Sequence, residues 1–368
     1  MKKKNDMGDE EGRIEDGTRR LLKSIQQESL SPAEKENIWN RVAESVSLRK
    51  ERSFSRLWLS LAASVTLLLL TGVGYLVFKK NSGKAMQEAA SKIVPDSEDT
   101  RLLLADDRTI SLQKRNSDLV YQQNGETIQI DSVSTIDQQI AGTGQHFNTL
   151  IVPYGKRSTI TLLDGTKIWL NSGSKLVYPA QFDADEREVY LEGQAYFSVS
   201  HSEEVPFYVH TKNMKVQVFG TEFDISAYDD DKQVSAVLAS GSIELTVNQQ
   251  SLFKSVKRKI TPGTRAIFTP SSATLETGQV NVEEFVSWKD GYLLLKNERL
   301  SELFKKLSRY YKADISLQDN ELGKKTFSGS FTLQEDIHQT LDIISASNSL
   351  HYQEKERRYI FEKNAIKP

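Results

Sequence analysis

The residues able to do covalent or metal chemistry are few and poorly spaced for it. Cysteine is absent, which removes disulfides, thiol nucleophiles and thiolate metal sites. The five histidines, His146, His201, His210, His338 and His351, show neither i, i+4 pairing nor metal-ligand spacing. No G-x-S-x-G elbow and no phosphate-cradling G-x-x-x-x-G-K-[ST] loop occurs. Asp106-Asp107 and Asp229-Asp230-Asp231 read as solvated turns rather than general acids. Trp169, Tyr196, Phe197 and Phe223 fall on strand patterns and read as core. One bond keeps a chemical possibility, Gly220-Thr221. A threonine hydroxyl in a strained turn can attack the preceding carbonyl in an N–O acyl shift, and a glycine there leaves the approach open. Gly-Thr recurs at 142, 165 and 263, however, so an ordinary turn is the favoured reading. The residues predict binding without catalysis, cofactor or metal.

The elements that position a binding surface are arranged about an apolar run at 57–78, LWLSLAASVTLLLLTGVGYLVF, which holds no charged residue. A bilayer's hydrocarbon core takes about 20 such residues as a helix. Arg56 bounds the run on one side and Lys79 and Lys80 on the other, with Trp58 and Tyr75 near the two interfaces. A buried core helix is usually shorter and broken by polar residues. A cleaved signal peptide is disfavoured, because about 56 residues precede the run. One transmembrane helix is predicted. Arg41, Arg49, Lys50, Arg52 and Arg56 before the span only slightly outweigh Lys79, Lys80, Lys84 and Lys92 after it. Lys2, Lys3, Lys4, Arg13, Arg19, Arg20 and Lys23 add to the short head, which places it in the cytoplasm and the tail outside. A net charge of −2 over 368 residues gives no support for direct nucleic-acid binding.

In the head, Ile14, Leu21, Leu22 and Ile25 fall on one helical face. Ser31-Pro32-Ala33-Glu34 reads as a helix start, with Ser31 as N-cap, Pro32 in the first position and Glu34 closing a capping box. The helix it opens carries Ile38, Trp39, Val42 and Val46 on one stripe. Two such helices bury too little surface to fold firmly alone. The second lacks the basic polar face of a lipid-lying helix. Leu21, Leu22, Ile38, Trp39 and Val42 are therefore expected to seat in the groove of a cytoplasmic protein.

Residues 79–100 read as a polar tether off the membrane. Beyond it, short alternating runs separated by Gly- and Asp-bearing turns about every 8 to 12 residues predict an all-β sandwich or solenoid-like stack. Asp164-Gly165, between two such runs, is a strong hairpin signal. From 285 the rhythm changes. GYLLLKN, ERLSELFKKLSRYY, ADISLQ, KKTFSGSFT, a helix capped by Thr332 and Glu335 with Ile337, Leu341 and Ile344, and a closing hairpin give the order β-α-β-β-α-β-β. The fold class expected is a membrane-anchored multidomain chain. It comprises a helical head (1–56), one transmembrane helix (57–78), a linker (79–100), an all-β domain (101–284) and a small α+β domain (285–368).

VPYG at 152–155, LLDGTKIWLNSGSKLVYP at 162–179, VYLEGQAYF at 189–197, PFYVHT at 206–211 and VFGTEFDISAY at 218–228 resemble the FecR family. Gln194 stands where an acidic residue is common and Asp224 where Asn is common, and neither departure touches the fold argument. The resemblance implies a single-pass anti-sigma factor of the bacterial inner membrane, N terminus cytoplasmic and C terminus periplasmic. The periplasmic extension of a TonB-dependent outer-membrane receptor would signal to the tail, and the head would hold or release an extracytoplasmic-function sigma factor. Some family members are understood to cleave themselves at the position of Gly220-Thr221. WKDGYLLLKN at 288–297 with LSRYY at 307–311 resembles the C-terminal domain of such proteins, itself similar to the short domain of secretins and TonB-dependent receptors. A receptor's own short domain is then expected at the strand edge 326–332, with Phe327, Ser328 and Phe331 in the contact. The alternative from another class is a membrane-anchored glycan- or peptidoglycan-binding module; a membrane-anchored enzyme ranks third, for want of a catalytic constellation.

Overall fold

The computed structural model describes residues 31–47, 64, 66, 71, 82–91, 97–122, 125–139, 146–248, 255–333 and 336–364. The chain divides into two units, Met1–Val77 and Phe78–Pro368. Leu21, Leu22 and nearly all of the apolar run at 57–78 lie outside the described residues; within that run Ser64, Thr66 and Thr71 are helical. Among the described residues no helix is long and apolar enough to cross a membrane.

In the first unit, helix α1 spans Pro32–Ser47. It starts as its residues dictate. Glu34 N–H donates to Ser31 Oγ at 3.4 Å, while the Glu34 carboxylate accepts from Ser31 N–H at 3.0 Å and Ser31 Oγ at 2.9 Å. Orphan amides at the helix start are thereby satisfied from both ends of the box.

The second unit opens with a helix where a tether was expected. Helix α2, Ser82–Ser91, buries Met86 and Ala90 against Val177 and Tyr190 of the β domain. The sequence conceals it because its apolar face is made of alanines and one methionine over only ten residues.

The β domain is a pair of sheets facing one core. The first sheet runs, in spatial order, Thr109–Leu112, Thr100–Leu103, Phe147–Val152, Ser174–Pro179, the first half of Arg187–Ser198, Phe207–His210, Met214–Val218, Ile243–Asn248 and Ser255–Ile260. The second runs Ser134–Asp137, Thr127–Ile130, Asn116–Tyr121, Arg157–Thr161, Lys167–Leu170, the second half of Arg187–Ser198, Glu222–Ala227, Val234–Ser240, Thr264–Thr269 and Thr274–Gln279. The long strand Arg187–Ser198 belongs to both sheets and changes over at Gly193. Gly193 has φ +102°, and a Cβ there would stand 2.6 Å from Ser174 Cα, so only glycine admits the crossing. Leu150, Leu176 and Val189 from one sheet meet Ile168, Phe197 and Phe223 from the other in a single core. The arrangement is sandwich-like. The Asp164-Gly165 hairpin forms as expected, with Gly165 at φ +81° and Leu162 N–H donating to the Thr166 carbonyl at 2.9 Å.

The C-terminal part has the expected β-α-β-β-α-β-β order. Helices α3 (Leu300–Tyr311) and α4 (Ile337–Asn348) bury Leu300, Leu303, Phe304, Leu307, Leu341 and Ile344. Tyr292–Arg299 pairs with Thr326–Thr332, while Arg358–Lys363 pairs with both Asp314–Leu317 and Leu350–Lys355. The cap of α4 differs from the expectation. Asp336, not Thr332, is the N-cap, accepting from His338 N–H at 2.9 Å, and Glu335 lies outside the described residues.

Candidate functional site

Four of the five motifs that carry the family resemblance reach the boundary between the sandwich and the C-terminal domain. The turn of VPYG places Gly155 N–H on the Arg309 carbonyl at 2.8 Å, at the end of α3. Arg157 donates to the Trp288 carbonyl at 2.6 Å, and the guanidinium groups of Arg115 and Arg157 lie 4.9 and 5.4 Å from the Tyr310 ring centre. Trp169 and Tyr196, expected as sandwich core, face the other way and join the hydrophobic core of the C-terminal domain. Lys289 covers that aromatic pair, 5.3 Å from the Tyr196 ring.

At the centre of this boundary lies a polar chain that runs from half-buried Asn171 and Gln194 to buried Asp224 and Trp288. Asn171 Nδ2 donates to Gln194 Oε1 at 2.9 Å; Gln194 Nε2 donates to the Asp224 carboxylate at 3.1 and 3.2 Å; Trp288 Nε1 donates to Asp224 Oδ2 at 3.0 Å. Burial pushes the Asp224 carboxyl up to about 7, against the opposing pull of the hydrogen bonds from Gln194 and Trp288. The two departures leave the fold argument intact, but the structure gives them a shared place. The two positions that depart from the family pattern touch each other, and one of them anchors the next domain.

The acidic run 229–231 is a turn, as expected, but Asp231 points inward and Arg309 engages it. Arg309 donates to Asp231 at 2.7 and 3.1 Å and to Asp230 at 2.8 Å, and stacks 3.7 Å from the Tyr228 ring centre. Asp229 pairs with Lys212 at 3.1 Å, and Asp229 and Asp230 are both more than half exposed. Asp230 and Asp231 bind the last turn of α3.

The residues expected to meet partners are placed differently from one another. Ile38, Trp39 and Val42 are exposed on α1, Trp39 at 72%. Phe327 and Phe331 are buried, at 5% and 6%, edge to face with each other inside the C-terminal domain. They are core residues, which corrects their assignment to receptor contact. The alternation of Phe327, Gly329 and Phe331 against Ser328 and Ser330 is the signal that marks them, since strand side chains alternate between faces. Ser328 does face outward, with its hydroxyl accepting from Asn297 N–H at 2.8 Å. Gly220 is pressed against His201, whose Cα would lie 2.8 Å from a Cβ at that position. Thr221 is buried and donates from Oγ1 to the Ser242 carbonyl at 3.1 Å, a structural bond that pins the turn. Among the described residues no group of three or more His, Asp or Glu is placed to hold a metal ion.

The FecR protein family model matches residues 148–244, and the FecR C-terminal model matches residues 292–361. The chain carries both domains of the FecR family. The boundary built around Asp224 and Trp288 is thus the junction of the two FecR domains. Two crystal structures of a candidate anti-sigma factor from Parabacteroides distasonis ATCC 8503 are similar to this chain, each at 26% identity and TM-score 0.54. The similarity covers 59% and 60% of this chain and 99% and 100% of theirs. No curated protein matches the chain.

Proposed function

We propose that this chain is a membrane-anchored regulator of a sigma factor, acting by binding and not by catalysis. The observation that carries the reading is the pairing of two FecR domains with an N-terminal helix whose apolar residues lie in the open. The similar solved protein is a candidate anti-sigma factor, and its whole length corresponds to part of this chain. On α1, the exposed Trp39 with Ile38 and Val42 is an anchor set for a helix-in-groove complex. The apolar run at 57–78 suits a single span between that helix and the FecR domains.

In this reading a periplasmic signal, from the extension of a TonB-dependent outer-membrane receptor, reaches the FecR domains and alters the hold of the head on an extracytoplasmic-function sigma factor. The outward face of Thr326–Thr332, with Ser328, remains the proposed receptor edge. It pairs with Tyr292–Arg299 on one side only, among the described residues. The test is affinity capture with the full chain from the cells that make it. A sigma factor should be recovered by the wild type and depleted in Trp39→Ala; its absence from both captures would remove the reading.

A further inference from the structure

Helix α2 is held on the sandwich at both ends and at little cost in apolar surface. At its start, the Ser82 hydroxyl donates to the Glu188 carboxylate, which also bonds His210 Nε2 at 3.0 Å. Gly83 lies flat on the His210 ring; a Cβ there would stand 2.7 Å from Nδ1. In the middle, Met86 is buried in a small cluster with Ala90, Val177 and Tyr190, apart from the main core. At its end, the Lys175 ammonium, itself 6% exposed, donates to the Ala90 carbonyl at 2.8 Å. An anion at the first turn and a cation at the last both favour the helix dipole.

Ten residues are too few for a helix to persist in water on its own. Docking and helix formation are therefore coupled, so an α2 released from the sandwich would unwind. Its position in the chain gives that release a consequence, because α2 directly follows the apolar run and precedes the first strand of the sandwich. We propose that α2 is a releasable strap, whose undocking from Lys175, Glu188 and His210 passes the state of the FecR domains to the segment that precedes it. The inference rests on the relay reading above, and deepens it by naming the moving part.

Released, the strap frees up to ten residues of chain ahead of the sandwich. Glu188 belongs to strand Arg187–Ser198, and Lys175 to the neighbouring Ser174–Pro179. The same long strand carries Gln194, the partner of Asp224 at the domain boundary. A disturbance at that boundary thus has a covalent and hydrogen-bonded route to the strap.

Hydrogen exchange on the full-length chain in detergent tests the seating, and transcription from a promoter served by the captured sigma factor tests the consequence. In the wild type, amides of 82–91 should exchange at least 100-fold more slowly than an unstructured peptide. Gly83→Ala separates the possibilities sharply. Alanine favours an isolated helix, so a free helix would exchange more slowly, whereas a seated one, forced off the His210 ring, should exchange at least ten-fold faster. Met86→Asp should release 82–91 fully, leave protection of the sandwich intact and change reporter output at least three-fold. The proposal is overturned if the wild-type segment exchanges like a free peptide, or if Gly83→Ala slows it. It is equally overturned if Met86→Asp frees the segment with no change in reporter output. If Trp39→Ala still alters the reporter in that last case, the strap alone fails. If Trp39→Ala is silent too, the relay reading fails with it.

Discussion

The Trp288 indole N–H meets Asp224 Oδ2 at 3.0 Å across 64 residues of chain, with the carboxylate's other partner, Gln194, donating from its own sheet. Each group in this chain can act in only one way while Asp224 is ionised, because a carboxylate accepts and an indole N–H donates. Gln194 must therefore turn its amide N–H toward Asp224 and its carbonyl toward Asn171.

That constraint predicts a reciprocal pair. Gln194→Glu alone sets a half-buried carboxylate against the buried Asp224 and should cost about 3 kcal/mol, in line with breaking a buried charge network. Adding Asp224→Asn reverses the hydrogen bond between positions 194 and 224 and leaves Asn171 and Trp288 as donors. The new carboxylate at position 194 accepts from Asn171 and from the new amide at position 224, whose carbonyl accepts in turn from Trp288. The double variant should regain about 2 kcal/mol of that loss, a coupling measurable by urea unfolding in a double-mutant cycle. Additive effects of the two changes would refute the reciprocity.

The same carboxyl makes stability depend on pH. Its folded pKa, about 7, lies above the unfolded value of about 3.9. The native state then holds the extra proton between those values, so stability from this group is greatest at low pH. It falls as pH rises from about 4 to about 7, and levels off beyond. At its steepest the slope approaches about 1.4 kcal/mol per pH unit. Asp224→Asn should flatten the unfolding midpoint over pH 5–8 relative to wild type. A wild-type profile already flat over that range would count against a buried protonatable carboxyl.

Local features are legible in the residues. Ser31 and Glu34 make the capping box, Asp164-Gly165 makes the hairpin, and the C-terminal order follows from where the period changes from 2 to 3.6. What the sequence hides depends on pairs distant along the chain. Arg309 finds Asp231 across 78 residues, and no local pattern marks 229–231 as anything but a polar turn. Asp224 becomes a boundary residue only because the register Tyr196↔Asp224 brings Gln194 diagonally beside it. Helix α2 is hard to see because alanine at 85, 89 and 90 is a weak hydrophobic signal beside lysine and glutamate. Phe327 and Phe331 are the opposite case, since their alternation is plain and only the side on which the core lies is not written locally.

Arg309 should prove the strongest polar tie between the FecR domains. It is 8% exposed, bidentate to Asp231 and stacked on Tyr228, whereas Asp230 is largely in solvent. Arg309→Met should lower stability by about 2 kcal/mol, because the largely buried Asp231 keeps only the longer contact to Lys305, at 3.6 Å. Arg309→Lys should recover less than half of that, since an ammonium reproduces neither the fork nor the stacking. Thermal unfolding of the three chains orders them directly. Equal midpoints for the wild type and the lysine variant would show that charge alone holds the boundary.

Thr221 offers a test of chemistry against structure. Its hydroxyl is committed to the Ser242 carbonyl, so Thr221→Ala should cost about 1 kcal/mol. The chain should run at full length on an immunoblot with either residue at 221. A shorter band in the wild type that vanishes in Thr221→Ala, without loss of folding, would instead assign the hydroxyl to cleavage of the bond after Gly220.

Trp39 separates binding from folding more cleanly than any other residue. At 72% exposure it contributes little to packing, so Trp39→Ala should leave the helical content and unfolding of the chain unchanged. Burial of its ring in a partner's groove, by contrast, is worth about 2 kcal/mol or more, roughly a 30-fold rise in the dissociation constant for the sigma factor. Glu36, also exposed on α1, serves as the matched control, and Glu36→Ala should move the constant by less than about three-fold. Titration of the purified sigma factor into each full-length chain measures both. Equal weakening by the two substitutions would show a diffuse electrostatic contact in place of an aromatic anchor.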